Sequence, residues 1–168
     1  MGVIFDLDQT LINSSLAINL RRNRDWQSVY KLIPSLLPFE GINELLSKLV
    51  NKRIPICIVT SSPSSYCKKV MDYWNWTNFK TVCYHDTKNH KPYPDPILQG
   101  IKLLGLNPNQ IISVGDEPKD IVASKKAGVI SVAVTWGITN KFEIASQNPD
   151  YIFDEVNQLD KYLDEIYK

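Results

Sequence analysis

Short runs of β-branched and other apolar residues recur along the chain, separated by longer stretches whose apolar residues fall every three or four positions. The runs are GVIFDL, IPICIVTSS, TVCYH, IISVGD, VISVAVTW and a final short DYIF. Unbroken hydrophobicity over so few residues fits strands covered on both faces, as in a parallel sheet. The stretches GINELLSKLVNK, SPSSYCKKVMDYWNW, PDPILQGIKLLG and EPKDIVASKKAG have helical spacing. Several open on Ser, Pro or an acidic residue and two run into Gly, which are the ends helices favour. Strand and helix in alternation predict an α/β fold: a doubly wound parallel sheet with right-handed crossovers in a three-layer α/β/α sandwich.

One segment breaks the alternation. Residues 14–38 separate the first strand from the first ordinary crossover helix, and their SLAINLRRNRDWQSVYKL pattern reads as a small helical insertion. Open α/β sheets hold ligands just beyond the carboxyl ends of their strands, so the insertion is expected to cover the site like a cap. The proline-bearing stretches 34–38 and 91–96 read as turns, and no repeat, low-complexity tract or long linker interrupts the chain.

Composition narrows the picture slightly. The 168 residues are expected to form a single domain, 1–168, with 14–38 inserted in it. A hydrophobic content of 43%, a charged content of 22% and a net charge of +1 give no clear nucleic-acid signal. Cys57, Cys67 and Cys83 are odd in number and have neither disulfide-framework nor zinc-site spacing, which points to a reducing, cytoplasmic setting. No apolar run reaches the ~18 residues of a membrane span. The first run contains aspartates where a secretory signal would be purely apolar, so no membrane partner or processing is expected.

Four polar signals fall at the ends of four predicted strands: Asp6 with Asp8; Thr60 with Ser61 and Ser62; the His-Lys-Pro stretch around Lys91; and Asp116 with Asp120. Each has a bland reading. Asp8 and Thr10 can make a turn, Thr60 to Ser64 can cap a helix, and Lys91 can be a solvated loop residue. Caps and turns, however, do not require all four groups at the same edge of one sheet. Two carboxylates as close as Asp6 and Asp8 are tolerable beside a divalent cation, with Asp116 a third acidic ligand. Hard oxygen donors with room for water and phosphate suit Mg²⁺.

Together DLDQT (6–10), TSSP (60–63), KPYPDP (91–96) and GDEPKD (115–120) resemble, in order, the four motifs of haloacid dehalogenase superfamily hydrolases. The connecting text PFEGINELLSKLVNKRIPICIVTSSP and VGDEPKDIVASKKAGVISVAVTWG is similar to the phosphoglycolate-phosphatase-like branch. The resemblance implies a Rossmann-like core and a Mg²⁺-dependent phosphatase acting on a phosphate monoester. It implies Asp6 as the nucleophile, giving an aspartyl-phosphate, and Asp8 as the acid and base that serves the leaving group and then the attacking water. Thr60 and the Ser61 backbone N–H would bind phosphoryl oxygens, and Lys91 would neutralise them. Asp6, Asp8 through its backbone carbonyl, and Asp116 would hold the metal, with Asp120 behind them or orienting Lys91. Alternatives of the same ancestry are a phosphotransferase or phosphomutase using the same intermediate, and a non-catalytic binding module.

The chain departs from the family pattern in two places. Gln9 stands where the family most often has Gly, and the insertion is much shorter than the helical caps of relatives that act on small metabolites. The carboxyl at Asp8 favours phosphate esters over halides, which leave without a proton. A phosphorylated small molecule is the expected substrate, with a phosphorylated macromolecule admitted by the small cap; oligomeric state is left open. Arg21, Arg22, Arg24 and Lys31, with Trp26 and Tyr30, would suit an anionic or aromatic leaving group such as a nucleotide, but read more simply as a solvated basic face whose aromatics pack down on the sheet. Trp74, Trp76 and Trp136 read as packing residues, and His85 and His90 have no ligand spacing.

Overall fold

A computed structural model describes residues 1–77, 79–137 and 140–167. Its centre is a six-stranded sheet in the order β3-β2-β1-β4-β5-β6, with every neighbouring pair parallel. The strands are β1 (Gly2–Phe5), β2 (Ile56–Val59), β3 (Lys80–Val82), β4 (Ile111–Gly115), β5 (Ile130–Val134) and β6 (Tyr151–Phe153). Five lie within the apolar runs, and β3 begins one residue ahead of its run, at Lys80. Chain order reverses direction between β1 and β4, and the crevice beyond that switch point is where such sheets bind ligands.

The pleat divides the core in two. Val3 and Phe5 of β1, Ile56 and Ile58 of β2, and Ile112 and Val114 of β4 face one layer. Against them pack α3 (Ile42–Asn51), α4 (Ser64–Tyr73) and α8 (Val156–Ile166) through residues such as Leu45, Leu49, Val70 and Leu159. Ile4, Cys57, Val59 and Ile111 face the other layer, built from Ile97 and Ile101 of α5 (Asp95–Leu104) and Ala123 and Ala127 of α6 (Pro118–Ala127). Alternate residues of strands that are hydrophobic throughout thus serve opposite faces, the arrangement a buried parallel sheet requires.

The segment after β1 contains two short helices, α1 (Ile18–Arg22) and α2 (Trp26–Leu32), flanked by single 3₁₀ turns at Ser15–Ala17 and Ile33–Ser35. Its ends are zipped together: Asn13 N–H donates to Leu37 O at 2.8 Å and Phe39 N–H to Leu11 O at 3.1 Å. Ala17, Val29, Ile33 and Leu36 are buried in the same cluster as α3 and α4, so the segment is seated on the core. Trp26 packs on α4, its ring centroid 5.7 Å from that of Tyr66, and Tyr30 reaches Ser65 with its hydroxyl at 2.7 Å. These aromatics pack down as expected, but on α4 rather than on the sheet.

Among the described residues, two α-helices lie outside the elements predicted above. One is α7 (Lys141–Ala145), too short to show a period; the other is α8, whose buried Val156, Leu159 and Leu163 do have helical spacing. No helix among the described residues is long and apolar enough to cross a membrane.

Candidate active site

The crevice at the switch point is built from strand ends. Asp6 follows β1, and its N–H donates to Val114 O of β4 at 2.9 Å, so the first motif leaves the sheet beside the last residues of the neighbouring strand. Lys91 comes from the segment leading into α5. Its ammonium donates to Asp6 Oδ1 at 2.8 Å and to Val59 O at 2.7 Å, and pairs with Asp120 Oδ1 at 2.7 Å. The Lys91 side chain is only 3% exposed. Asp120 lies in the first turn of α6, where its Oδ2 accepts the Glu117 N–H at 3.0 Å. It packs so closely over Gly115 that a Cβ on that glycine would collide with the Asp120 side chain.

Asp116 follows β4 and is buried, its Oδ1 accepting the Thr10 hydroxyl at 2.9 Å. Carboxylate oxygens of Asp6, Asp116 and Asp120 lie within 4.8 Å of one another. Burial raises the Asp6 carboxyl from 3.8 to about 7, with Lys91 opposing the rise and Asp120 adding to it. Burial, then the charges of Asp6 and Asp120, push Asp116 well above the usual carboxylate range. Burial works against the charge on Lys91, but Asp120 and Asp6 more than offset it and raise its pKa. Once ionised, three carboxylates against one ammonium would carry a surplus of negative charge in a buried crevice of hard oxygen donors, which is the environment a small divalent cation fits.

Asp8 is held differently. Tyr66 OH donates to its Oδ1 at 2.8 Å, and Ser62 Oγ donates to its Oδ2 at 2.9 Å. The Arg21 guanidinium pairs with the same Oδ2 at 2.7 Å and also donates to Ser62 and Ser14. Arg21 is therefore not part of a solvated basic face, and that expectation is corrected: a guanidinium that can reach a buried carboxylate gains more there than in water. Arg22 and Arg24 do remain exposed. Ser62, named among the strand-end polar signals, had been given no role, and Tyr66 was missed. Ser62 stood inside the TSSP motif, whereas an aromatic in a helix reads as core and gives no sign that its hydroxyl meets an acid.

Thr60 sits at the end of β2, its N–H bonded to Val82 O at 2.9 Å and its Oγ1 accepting the Ser62 N–H at 3.1 Å. Ser61 is exposed on the cleft wall. The cleft has a volume of about 980 Å³, with Asp6, Asp8, Thr60 and Asp116 among its walls and Arg21 and Trp26 reaching it from the insertion. His85 lines it; His90 instead stacks on Tyr84 with centroids 4.0 Å apart. Of the tryptophans expected to pack, Trp76 is buried and Trp136 ties a loop to the site by donating its indole N–H to Thr10 O at 2.9 Å.

Gln9 adopts φ +65°, the left-handed conformation that glycine reaches without strain. The loop after β5 makes room for it. A Cβ on Gly137 would lie 2.6 Å from Gln9 O and 2.9 Å from Gln9 Cβ. Gly137→Ala is therefore expected to displace the 6–10 loop and, as an overpacked contact, to lower the melting temperature by roughly 2–10 °C. A thermal melt would check this, and an unchanged melting temperature would show that the loop absorbs the methyl elsewhere.

The sequence model of haloacid dehalogenase-like hydrolases matches residues 20–134. The chain belongs to this family. It is 32% identical to the phosphoglycolate phosphatase of Escherichia coli over 123 residues, 72% of this chain and 49% of that one. It is also 32% identical over 126 residues to a Caldanaerobacter subterraneus protein with a provisional pyrophosphatase name, covering 74% of this chain and 57% of that one. The chain thus spans about half the length of the curated relatives it matches. Among solved structures, a hydrolase from Pseudomonas syringae superposes with a TM-score of 0.84 at 20% identity, covering 98% of both chains. A haloacid dehalogenase superfamily hydrolase from Ehrlichia chaffeensis superposes with a TM-score of 0.77 at 18% identity, covering 99% of this chain and 97% of that one. At these identities the likeness speaks to the fold.

Proposed function

We propose that the protein is a phosphatase that hydrolyses a phosphate monoester, with Asp6 as nucleophile and Asp8 as the proton-transfer group. The observation that carries this reading is the buried constellation of Asp6, Lys91, Asp116 and Asp120 at the switch point, with Asp8 and Thr60 on the adjoining wall. An Asp6 oxygen bonds to phosphorus as the ester P–O bond breaks, and the leaving oxygen takes its proton from the Asp8 carboxyl. Water then attacks the aspartyl-phosphate and gives its proton to Asp8, and the P–O bond to Asp6 breaks to regenerate both groups. Lys91 balances charge on the phosphoryl group, and Thr60 with the Ser61 N–H orients its oxygens. The names of the curated relatives, a phosphoglycolate phosphatase and a provisional pyrophosphatase, favour a phosphorylated small molecule as substrate.

Mg²⁺ would be held by Asp6 and Asp116, with Asp120 beside them and the Asp8 backbone carbonyl completing the set. When bound it neutralises charge on the phosphoryl oxygens and lets Asp6 ionise. Hydrolysis of p-nitrophenyl phosphate with Mg²⁺, and its loss in EDTA, is the direct test. Absence of turnover across aryl, sugar and nucleoside monophosphates would move the protein to the binding-module reading.

The same carboxylates make stability depend on metal and pH together. Asp6 has a folded pKa raised from 3.8 to about 7, so its ionisation opposes folding: its contribution is lost as pH rises through that window. Asp116 acts in the same direction. Mg²⁺ should therefore stabilise the protein little at about pH 5 and much more at about pH 8, where the carboxylates are free to bind it. At an excess of about a hundredfold over Kd the melting temperature should rise by roughly 5–10 °C. Thermal melts at the two pH values check this, and an equal shift at both would count against these ligands.

A further inference from the structure

Arg21 joins the insertion to the floor of the site through an ion pair. It lies on α1, a five-residue helix with no buried residue, yet its side chain is only 22% exposed and meets Asp8 thirteen residues away in sequence. Nη2 donates to Asp8 Oδ2 at 2.7 Å and to Ser62 Oγ at 3.1 Å; Nη1 donates to Ser14 Oγ at 3.1 Å. The guanidinium carbon stands 5.6 Å from the centroid of the Tyr66 ring, whose hydroxyl holds the other Asp8 oxygen. Its Nε is buried without a hydrogen-bond partner, a cost that the other contacts must offset.

We propose that Arg21 is a positioning residue that sets the orientation of the Asp8 carboxyl for proton transfer, so that the seated insertion is part of the catalytic apparatus rather than a cover alone. The inference rests on the phosphatase reading above. Asp8 is anchored on Oδ1 by Tyr66 of α4, while Oδ2 is shared by Ser62 and Arg21. Removing Arg21 leaves Oδ2 with only one of these two ties and lets the carboxyl turn about its remaining anchors. The proton it carries must meet an oxygen whose bond to phosphorus is breaking, and that transfer depends steeply on alignment. A leaving group that is already a weak base needs no such proton, and its departure should not depend on Arg21.

This gives a readout that a purely structural role would not produce. Arg21→Met is expected to lower the single-turnover rate of leaving-group release by about 100-fold for a simple alkyl phosphate, but by less than about threefold for 2,4-dinitrophenyl phosphate, with KM for both within about threefold; release precedes the attack of water, in which Asp8 serves every ester alike. Arg21→Lys keeps a cation within reach of Oδ2 and should recover about tenfold of the alkyl-phosphate loss. Ser62→Ala removes the other tie on that oxygen and should show the same selectivity more weakly. Equal losses on the two esters, or losses carried by KM, would make Arg21 a phosphate ligand or a fold-supporting residue and overturn the proposal alone. A wild-type protein inert toward both esters would remove the phosphatase reading, and this inference with it.

Discussion

Asp6→Asn is expected to abolish phosphate-ester hydrolysis, lowering kcat by about 10⁴-fold or more, while the protein stays folded. The amide has the size of the carboxyl but supplies no nucleophilic oxygen, so no covalent intermediate can form. Stability should hold for a separate reason. Burial already resists ionisation of Asp6, holding its carboxyl at about 7, so a neutral side chain suits the metal-free crevice. Lys91 keeps Asp120 and Val59 O as partners. Release of p-nitrophenol and a thermal melt, measured on the same preparation, separate the two effects. Turnover that survives the substitution would discard Asp6 as nucleophile.

Lys91→Met should damage both stability and activity. The ammonium is buried between Asp6 and Asp120, and an aliphatic side chain of similar length would leave those carboxylates near Asp116 with no cation. Removing one partner of a buried ionic group costs about 3–5 kcal/mol. For a chain of this size that corresponds to a fall in melting temperature of roughly 10–15 °C. Mg²⁺ should recover part of the loss, since it supplies positive charge to the same acids. Melts with and without the ion measure this, and a melting temperature unchanged within about two degrees would contradict the charge balance described for the site.

The strands were legible because a sheet buried on both faces needs continuous apolar runs, and few other structures do. GVIF, ICIV, IISVG and ISVAV all became strands within the predicted runs. The acidic and basic motif residues were legible because their spacing follows the strand ends, so that Asp6, Lys91, Asp116 and Asp120 converge. What escaped depended on orientation across the insertion. Nothing in LRRNRDW says which of three arginines turns inward, because α1 is too short for a period and the choice is made by how the segment seats on α4. The hydroxyl of Tyr66 escaped for a related reason: its ring packs as core while its oxygen meets Asp8. The departure at Gln9 is explained only by the distant Gly137, a contact with no local sequence signature.

On the proposed mechanism, phosphate passes through a covalent bond to Asp6. Acid quenching of the enzyme during steady turnover with Mg²⁺ and an aryl phosphate, followed by borohydride reduction and peptide mass analysis, tests it directly. Asp6 alone should be reduced to the alcohol, and only in samples quenched with substrate. Steady release of phosphate with Asp6 unmodified, or with the label on another residue, would contradict it.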